Sequence, residues 1–595
     1  MKKKWISLSL AALTACSSLA AVGCTKKDNS TVTKIFCINF DGGIGSEWLY
    51  DDIEEFTKLV ADKSYESGKK GVKIDVDRAM NIGAATMNTS GYHLYFDEVQ
   101  TNVRKFADNK FLVDLTDIVT TPLSEYGEEK SIVDKIDSVY LNNLVGSDGK
   151  YYGLPYYEWY PGIVYDIENF ENAGLFIAKE GTSAPTDTVN KYGKDVKFLK
   201  DGKNKTERSV GNDGKAGTED DGLPTSMIEL LSLCYRMTKK DIKPFQTTGM
   251  HTGYTNYLVE ALWASLAGYE AMRANYTFQG EIEVVKRDGN GDIIFTNEPL
   301  FTGLAGTGNN GKGTAVSGDY IMKPETEKIT VTEATGYKVY DMVQRYYAIA
   351  FLEIIEREGW FTKDSTTESI SHTGAQKEFI LNGITTGEKK RSKMGMLLEG
   401  TYWYQESIRT GTFDDYSYYS GKDEKRLGWM SLPTALYDSV AENEGRTLAY
   451  VETSHSYVTM NAAATRRSKG VMEACKDFLR FMYTNKRLSA FTGTTGIPKG
   501  GMYYELEDAD YARMSSFQKS VWDMRDNCKI VLSGADNETY KAKQQSLLLN
   551  ANLALFRPFV DVQYGDFAIC MRWDSKNNVN AAKMFNATCV SANAW

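Results

Sequence analysis

The chain has 595 residues, more than one hydrophobic core usually supports, and we therefore expect two or more lobes. Hydrophobic residues make up 42% of the sequence and charged residues 25%, which is ordinary for a globular protein. The formal net charge of −10 argues against a nucleic-acid partner, because phosphates require a basic protein face.

The first 23 residues have the pattern of a secretory signal peptide. Lysines at positions 2–4 come first, an apolar run follows, and small residues precede Cys24. The segment is too short and wrongly flanked to form a stable membrane span. No later segment is long and apolar enough to cross a bilayer.

The end of this segment, AVGC, resembles a bacterial lipobox, in which Cys24 is the acylated first residue of the mature protein. LTAC, which ends at Cys16, fits the same pattern but leaves a very short apolar core. A signal peptide that is cleaved without acylation is the remaining alternative. Residues 24–32 are polar and are interpreted as a tether. We therefore expect a palmitate-bearing lipoprotein on the outer face of a bacterial, Gram-positive cell membrane.

The first elements after the tether predict a parallel sheet. TKIFCINF, residues 33–40, is an apolar strand. Leu49, Ile53, Phe56 and Val60 follow at helical spacing, and GVKIDVDR is a second strand. A strand, a helix and a strand in this order form a βαβ unit, whose two strands are parallel.

The later elements keep this alternation, which predicts an α/β protein. PTSMIELLSLCYRMTKK and YKVYDMVQRYYAIAFLEIIEREGW have the apolar periodicity of helices. KMGMLLEGTYWYQ is a strand that runs into an aromatic turn, and KGVMEACKDFLRFMYTNKRLSAF is a late helix.

One segment, residues 151–175, is unusually rich in aromatic rings. Seven of its first fifteen residues are Tyr or Trp. Gly153, Pro155, Pro161 and Gly162 interrupt it, so it does not form a regular helix. The segment is therefore predicted to be irregular, with a rigid backbone and many rings.

A second segment, residues 211–226 (GNDGKAGTEDDGLPTS), packs acidic residues among glycines just before a helix. Asn212, Asp213, Asp220 and Asp221 offer oxygen ligands at short spacing, which suits calcium. The loop departs from an EF-hand, because it lacks a regular Asp-x-Asp-x-Asp and a closing Glu. A solvated acidic turn is the alternative. The four histidines are scattered, so neither a zinc site nor a catalytic cofactor is expected.

The order of these features resembles a known family. A lipobox, a first strand that ends at Asp41, KFLVDLTDIV, and GKYYGLPYYEWYPGIVYDIENFENAGL follow one another as in the extracellular solute-binding proteins of sugar ABC transporters. AQKEFILNGITTGEKKRSKMGMLLEGTYWYQ and EACKDFLRFMYTNKRLSAFTGTTGIPKG resemble later parts of the same proteins. The resemblance, to the maltose-binding-protein-like family, is therefore one of architecture over most of the chain.

The resemblance implies a type II periplasmic-binding-protein-like fold, in which crossing hinge strands join two α/β lobes around a ligand cleft. The crossings are expected near residues 156–163, 394–404 and 458–463. The first lobe is then formed by residues 33–157 and 392–460. The second lobe is formed by residues 158–391 and 461–595, with insertions at 281–318 and 500–550 to which no role is assigned.

The aromatic segment lies where the family places its first crossing. An aromatic ring buries the C–H face of a sugar, while carboxylate, amide or guanidinium groups bind the hydroxyls. We expect Tyr156, Tyr157, Trp159 and Tyr160 to present rings to the cleft and Glu158 to bind hydroxyls. Alternatively, half of these rings pack the hinge, because side chains alternate in direction along a strand.

Further site residues are implied by position. The resemblance implies ligand contacts from Asp41, Tyr95, Phe96 and Asp97 in the first lobe, from the turn Tyr402, Trp403 and Tyr404, and from Trp263, Arg572 and Trp573 in the second lobe. Trp263 has an apolar helical context, and core packing is the preferred interpretation for it. The acidic loop resembles a calcium loop that some polysaccharide-binding members carry ahead of the same helix, where the ion is structural.

The implied function is that of a non-enzymatic, monomeric receptor that captures an oligosaccharide and delivers it to the transmembrane subunits of an ABC permease. An extracellular glycoside hydrolase is one alternative, and it requires two carboxylates around the scissile bond. A surface polysaccharide-binding protein without a transporter is another. Monosaccharide and peptide ligands also stay open at this point.

Overall fold

The structure is a computed structural model, and it describes residues 30–40, 42–79, 87, 89–97, 103–251, 253–304, 321–367, 369–439, 448–452, 456–532, 580–592 and 595. The signal peptide, Cys24 and most of the tether lie outside the described residues. The same is true of the predicted site residues Asp41, Arg572 and Trp573.

The strands, in chain order, are β1 (Thr33–Phe40), β2 (Val72–Ala79), β3 (Leu94–Asp97), β4 (Gly153–Pro155), β5 (Pro161–Asp166), β6 (Thr186–Val189), β7 (Val196–Leu199), β8 (Ile242–Gln246), β9 (Gly280–Val285), β10 (Phe295–Pro299), β11 (Met322–Pro324), β12 (Thr326–Val331), β13 (Thr385–Thr386), β14 (Lys389–Lys390), β15 (Lys393–Gly400), β16 (Leu427–Trp429), β17 (Ala449–Glu452), β18 (Tyr457–Met460) and β19 (Lys529–Leu532).

The α-helices are α1 (Glu47–Leu59), α2 (Val103–Asp108), α3 (Thr116–Thr120), α4 (Ser138–Leu141), α5 (Ile167–Ala173), α6 (Met227–Lys239), α7 (Tyr254–Thr277), α8 (Val343–Glu358), α9 (His372–Ile380), α10 (Trp403–Arg409), α11 (Thr412–Ser420), α12 (Ala462–Thr465), α13 (Lys469–Met482), α14 (Asn485–Thr495), α15 (Asp508–Arg513), α16 (Ser516–Asp526) and α17 (Ala581–Thr588). None of the helices in the described ranges has both the length and the apolar character that crossing a bilayer requires.

The first lobe is built on a five-stranded sheet with the order β2-β1-β3-β18-β4. β1 is parallel to β2 and to β3, as the βαβ pattern predicts, because α1 returns the chain across the sheet between β1 and β2. β18 lies antiparallel between β3 and β4, although some 300 residues separate it from β4 in the sequence. The chain therefore leaves this lobe after β4 and comes back to it at β18.

The second lobe is built on a four-stranded sheet with the order β16-β5-β15-β8. β15 is its central strand, antiparallel to β5 and parallel to β8. Seven consecutive residues of β15 are buried, as expected for a strand that is covered on both faces. Together with the first sheet this gives two α/β lobes with discontinuous sequence, so the predicted type II periplasmic-binding-protein-like fold is confirmed.

The predicted lobe boundaries need a correction. β15 belongs to the second lobe, so the chain does not return to the first lobe near residues 394–404. Conversely, α13 contacts β1 and α14 contacts α1, so residues after 460 stay in the first lobe. The apolar face of α13 drives this placement, since Phe478 packs on Phe56 with ring centroids 5.0 Å apart.

Three segments therefore connect the lobes. The first lies between β4 and β5, at residues 156–160, as predicted. The second lies between β16 and β18, and the third between α14 and α16. α16 is anchored to the second lobe, where Ser516 and Ser520 accept hydrogen bonds from the backbone N–H groups of Leu427 and Trp429 (3.1 and 2.8 Å).

The carboxylate of Glu158 joins the first and third connections. It is fully buried. Its Oε2 accepts a hydrogen bond from the backbone N–H of Gly501 at 2.9 Å, and its Oε1 accepts one from Nε of Arg525 in α16 at 2.5 Å. The hydroxyl of Tyr160 also donates to Oε1. These bonds use the carboxylate inside the protein, so Glu158 is a hinge residue and the predicted contact with ligand hydroxyls is wrong.

Removing the guanidinium of Arg525 is expected to destabilise this hinge strongly. Arg525→Ala leaves the Glu158 carboxylate buried without its cation, which costs about 3–5 kcal/mol in the free energy of unfolding. The control Arg513→Ala, at a side chain that is 48% exposed and paired with Asp510, is expected to cost less than about 1 kcal/mol. Chemical denaturation of both variants measures the difference. Equal losses would contradict the assigned role of Glu158.

Candidate binding site between the two lobes

Four aromatic rings meet where the first connection passes between the lobes. The ring of Trp159 lies 5.3 Å from that of Tyr257 and 5.1 Å from that of Tyr402, measured between centroids. Tyr254 lies 4.9 Å from Tyr257, and the hydroxyls of Tyr254 and Tyr402 are 3.2 Å apart. Tyr254 and Tyr257 are partly exposed, so solvent reaches this aromatic cluster.

Local sequence explains how the rings come together. Tyr254 and Tyr257 are three residues apart in the first turns of α7 and therefore share one face of the helix. Gly400 ends β15 directly before the aromatic turn. A Cβ atom at Gly400 would lie 2.6 Å from the ring of Tyr402 and 2.9 Å from that of Trp159. Only glycine allows these two rings to approach the strand so closely.

Two buried carboxyl groups lie in the same wall of the second lobe. The side-chain amide of Gln376 donates to Oε1 of Glu399 at 3.0 Å and to Oε2 of Glu406 at 2.9 Å. The hydroxyl of Ser407 donates to the amide oxygen of Gln376 at 3.0 Å and so fixes its orientation. Burial, together with the charge of Glu406, holds the pKa of Glu399 well above its ordinary value.

The two lobes touch beyond these groups. The backbone N–H of Gly43, in the loop after β1, donates to Oε1 of Glu406 at 3.3 Å. The guanidinium of Arg409 donates to the carbonyl oxygen of Gly43 at 3.2 Å. The amide of Gln405 donates to the carbonyl oxygen of Thr494 in α14 at 2.7 Å. The start of α10 therefore bridges from the second lobe to the first, with the aromatic cluster beside it.

Two polar groups at the cluster have no partner among the described residues. The indole Nε1–H of Trp159 is buried and donates to none of them. Glu260 is only 5% exposed and lies one helical turn after Tyr257 on α7. Burial and the charge of Glu452 raise the pKa of Glu260 to about 8. Unpaired buried groups of this kind are costly, and a ligand that satisfies them gains that free energy.

Several predicted site residues are packing residues instead. Tyr156 is buried in the first lobe, where its hydroxyl donates to Oδ1 of Asn39 at 2.7 Å and its ring contacts Trp48 and Tyr157. Tyr160 packs near Tyr450 at the hinge. Of the four rings predicted in this segment, the structure places Trp159 in the aromatic cluster and the other three in the surrounding core.

The remaining predictions divide in the same way. Tyr95, Phe96 and Asp97 are buried in β3, and no contact joins them to the aromatic cluster within the described chain. In the aromatic turn, Tyr402 joins the cluster, whereas Trp403 and Tyr404 pack on Phe517 with centroids 5.5 and 5.2 Å apart. Trp263 is fully buried, which corresponds to the core-packing interpretation.

Sequence reasoning missed the contribution of α7 and of the two glutamates. Tyr254 and Tyr257 stand in HTGYTNYLVEALW, where two rings three residues apart at a helix start were an available signal. Glu399 and Glu406 flank the predicted aromatic turn, but nothing in their sequence positions shows that Gln376 holds them together.

The acidic loop is organised largely by its own hydrogen bonds. Oδ2 of Asp220 accepts from the backbone N–H groups of Asn212 and Asp213 at 2.7 and 3.2 Å. Oδ2 of Asp221 accepts from the N–H of Gly217 at 2.6 Å. Oδ2 of Asp213 and Oδ1 of Asp221 are buried with no partner in the described chain. Burial and the nearby charge of Asp213 raise the pKa values of Asp220 and Asp221.

Comparison with known proteins gives matches to solved structures. No family model matches the sequence, and no curated protein matches it. A chitin oligosaccharide binding protein is 13% identical with a TM-score of 0.48, over 92% of this chain and 99% of that one. RafE in complex with raffinose is 12% identical with a TM-score of 0.48, over 94% and 100%. Maltose-bound MalE3 of T. maritima is 11% identical with a TM-score of 0.47, over 94% and 98%.

The raised pKa of Glu260 predicts how stability depends on pH. The folded chain favours the protonated carboxyl, so its contribution is complete below the ordinary pKa of 4.5 and is lost as the pH rises towards about 8. Glu260→Gln keeps the shape without the charge. We expect the variant to be more stable than the parent by roughly 3 kcal/mol at pH 7, with no difference at pH 4.

Denaturation of parent and variant between pH 4 and 8 measures this effect. Glu270→Gln is the matched control, since Glu270 lies on the same helix with a side chain that is 79% exposed. The control is expected to follow the parent at every pH. A Glu260→Gln variant that gains nothing with rising pH would show that the carboxyl is not desolvated.

Proposed function

We propose that this protein is an extracellular receptor that captures an oligosaccharide between its two lobes and delivers it to an ABC-type sugar permease. The observation that carries the proposal is the aromatic cluster of Trp159, Tyr254, Tyr257 and Tyr402 at the junction of two α/β lobes. Aromatic faces bind the C–H faces of sugar rings, and an interlobe position lets both halves of the molecule hold the same ligand.

The cluster has the polar groups that a sugar requires. The hydroxyls of Tyr254 and Tyr402 and the indole N–H of Trp159 provide donors, and Glu260 provides a carboxyl group. The contacts of Glu406 and Arg409 with Gly43 cross from one lobe to the other. Opening at the hinge would break these contacts, and a ligand that bridges the lobes would favour the closed form.

We further propose that acylation of Cys24 holds the receptor, as a monomer, on the outer face of the membrane. A signal peptide that ends in AVGC and a polar tether support this anchor. Delivery to the transmembrane subunits of a permease follows from the two-lobed fold, in which closure of the cleft changes the surface of both lobes at once.

The hydrolase alternative is less well supported. Glu399 and Glu406 are the paired carboxyl groups nearest the cluster, and glycoside hydrolysis uses two carboxyl groups on either side of the bond. Here both accept hydrogen bonds from the same Gln376 amide, and Glu406 also accepts one from Gly43. Their oxygen atoms are thus engaged with the protein, and we propose binding without turnover.

Calorimetric titration against a panel of oligosaccharides tests the proposal. We expect at least one saccharide to bind, no release of reducing ends, and a loss of affinity of about tenfold or more in Trp159→Ala and Tyr257→Ala, which remove stacking area. Tyr418→Ala is the control, since this ring is 82% exposed on α11. Binding of peptides but of no carbohydrate, or an unchanged affinity in both cluster variants, would contradict the proposal.

We also propose that the acidic loop binds calcium in a structural role. Asn212, Asp213, Asp220 and Asp221 would supply the oxygen ligands. The two buried carboxylate oxygens without partners, on Asp213 and Asp221, support a cation here. As the loop stands, however, no group of three His, Cys, Asp or Glu side chains in the described chain has the arrangement of a metal site. Binding would therefore draw the carboxylates closer together.

Thermal unfolding with calcium and with a chelator tests this site. Calcium at one hundred times its Kd would stabilise the folded chain by about 2.7 kcal/mol, seen as a higher Tm. The double variant Asp220→Asn, Asp221→Asn is expected to lose the shift, and Asp288→Asn, at an exposed turn elsewhere in the lobe, is expected to keep it. A parent protein whose Tm ignores both calcium and chelator would rule the site out.

A further inference from the structure

The wall of the second lobe beside the aromatic cluster is rich in buried carboxyl groups. Glu260, Glu399 and Glu406 are 5%, 1% and 9% exposed. Glu452, which is 1% exposed, lies close enough for its charge to act on Glu260. This acidic wall, defined by these four glutamates, is unusual because buried carboxyl groups are normally paired with a cation.

Few of the neighbouring basic groups offset this charge. Arg409 directs its guanidinium to the carbonyl oxygen of Gly43. The imidazoles of His251 and His372 lie 5.1 Å apart at the outer end of the wall. Burial and the neighbouring His372 lower the pKa of His251, so this side chain is uncharged near pH 7. The acidic wall therefore keeps a negative potential that a bound ligand meets.

Glu260 is the member of the wall that is open to a ligand. Glu399 and Glu406 share the amide of Gln376, but Glu260 forms no hydrogen bond or ion pair with any residue in the described ranges. It follows Tyr257 by one turn of α7, and Tyr257 contacts Trp159, whose indole N–H is also without a partner there. An unpaired acceptor and an unpaired donor thus lie on one continuous surface.

We propose that the saccharide carries a protonated amine, as unacetylated amino sugars do, and that this amine binds between Glu260 and Glu452. An ammonium group is the complement of two buried carboxylates, and its three N–H donors satisfy oxygen atoms on both. The sugar ring next to the amine then stacks on Trp159 and Tyr257. This proposal rests on the function proposed above and specifies its ligand class.

Other ligand classes fit the acidic wall less well. A uronic acid or a sulfated sugar would place another negative charge beside the carboxyl groups in a region of low dielectric, where like charges repel strongly. A neutral sugar would leave Glu260 and Glu452 uncompensated. A bare metal ion would need further ligands, and the described residues form no cluster of three such side chains.

Two chemically matched probes test the proposal: a glucosamine tetrasaccharide and its fully N-acetylated form. The two differ only in the charge and the acyl group on the nitrogen. Titration at pH 6.5 and low salt is expected to show the amine form binding on the order of 30-fold more tightly. Raising the ionic strength should weaken the amine form and leave the acetylated form nearly unchanged.

Glu260→Gln is expected to weaken binding of the amine form on the order of 30-fold and to change binding of the acetylated form by less than about threefold. Glu452→Gln is a second variant with the same expectation, and Glu270→Gln is the exposed control on the same helix. Because Glu260→Gln is expected to be at least as stable as the parent, lost binding would not reflect unfolding.

The outcomes separate this proposal from the one on which it rests. Tighter binding of the acetylated or another neutral saccharide, or an amine affinity that Glu260→Gln leaves unchanged, overturns the amine proposal while the receptor function stands. If no saccharide of any class binds, the receptor function fails and the amine proposal fails with it.

Discussion

The buried carboxylate of Glu158 is the interaction on which the rest of this structure depends. It accepts hydrogen bonds from Tyr160, from the backbone of Gly501 and from Arg525, and these groups belong to two of the three connections between the lobes and to a helix of the second lobe. A buried charge tolerates little displacement from its partners, because separation leaves it unsolvated. The connections are therefore held together as one unit, about which the lobes are arranged.

The position of the aromatic cluster follows from this constraint. Trp159 is the next residue after Glu158, so fixing the carboxylate on one side of the segment directs the indole to the other. Gly400 then leaves room for the ring beside β15, and α7 brings Tyr257 against it. Stability and binding are in this sense coupled: the residue that holds the hinge also orients the principal ring of the cleft.

Much of the architecture could be predicted from the sequence, because it is written in local patterns. The βαβ periodicity gave the parallel strands β1 and β2, and the proline- and glycine-interrupted segment marked the first connection correctly. The lobe boundaries were wrong because β15 is apolar on both faces, and such a strand fits the centre of either sheet equally well in sequence terms. Only its pairing with β5 and β8 decides between them.

The site was less predictable for a related reason. A ring looks the same in sequence whether it packs a core or faces a ligand, so Tyr156, Tyr160 and Trp159 could not be told apart. Glu158 looked like a polar anchor because its partner Arg525 lies 367 residues away. Glu260, Glu399 and Glu406 acquire their character from burial and from one another, which are properties of the folded chain.

The most direct test of the central claim is a crystal structure of the protein with the saccharide that binds it most tightly. The account predicts a sugar ring stacked on Trp159 and Tyr257, with both lobes in contact with the ligand and Glu158 still bonded to Arg525. A saccharide bound on an outer surface, or wholly within one lobe and away from Trp159, would contradict it.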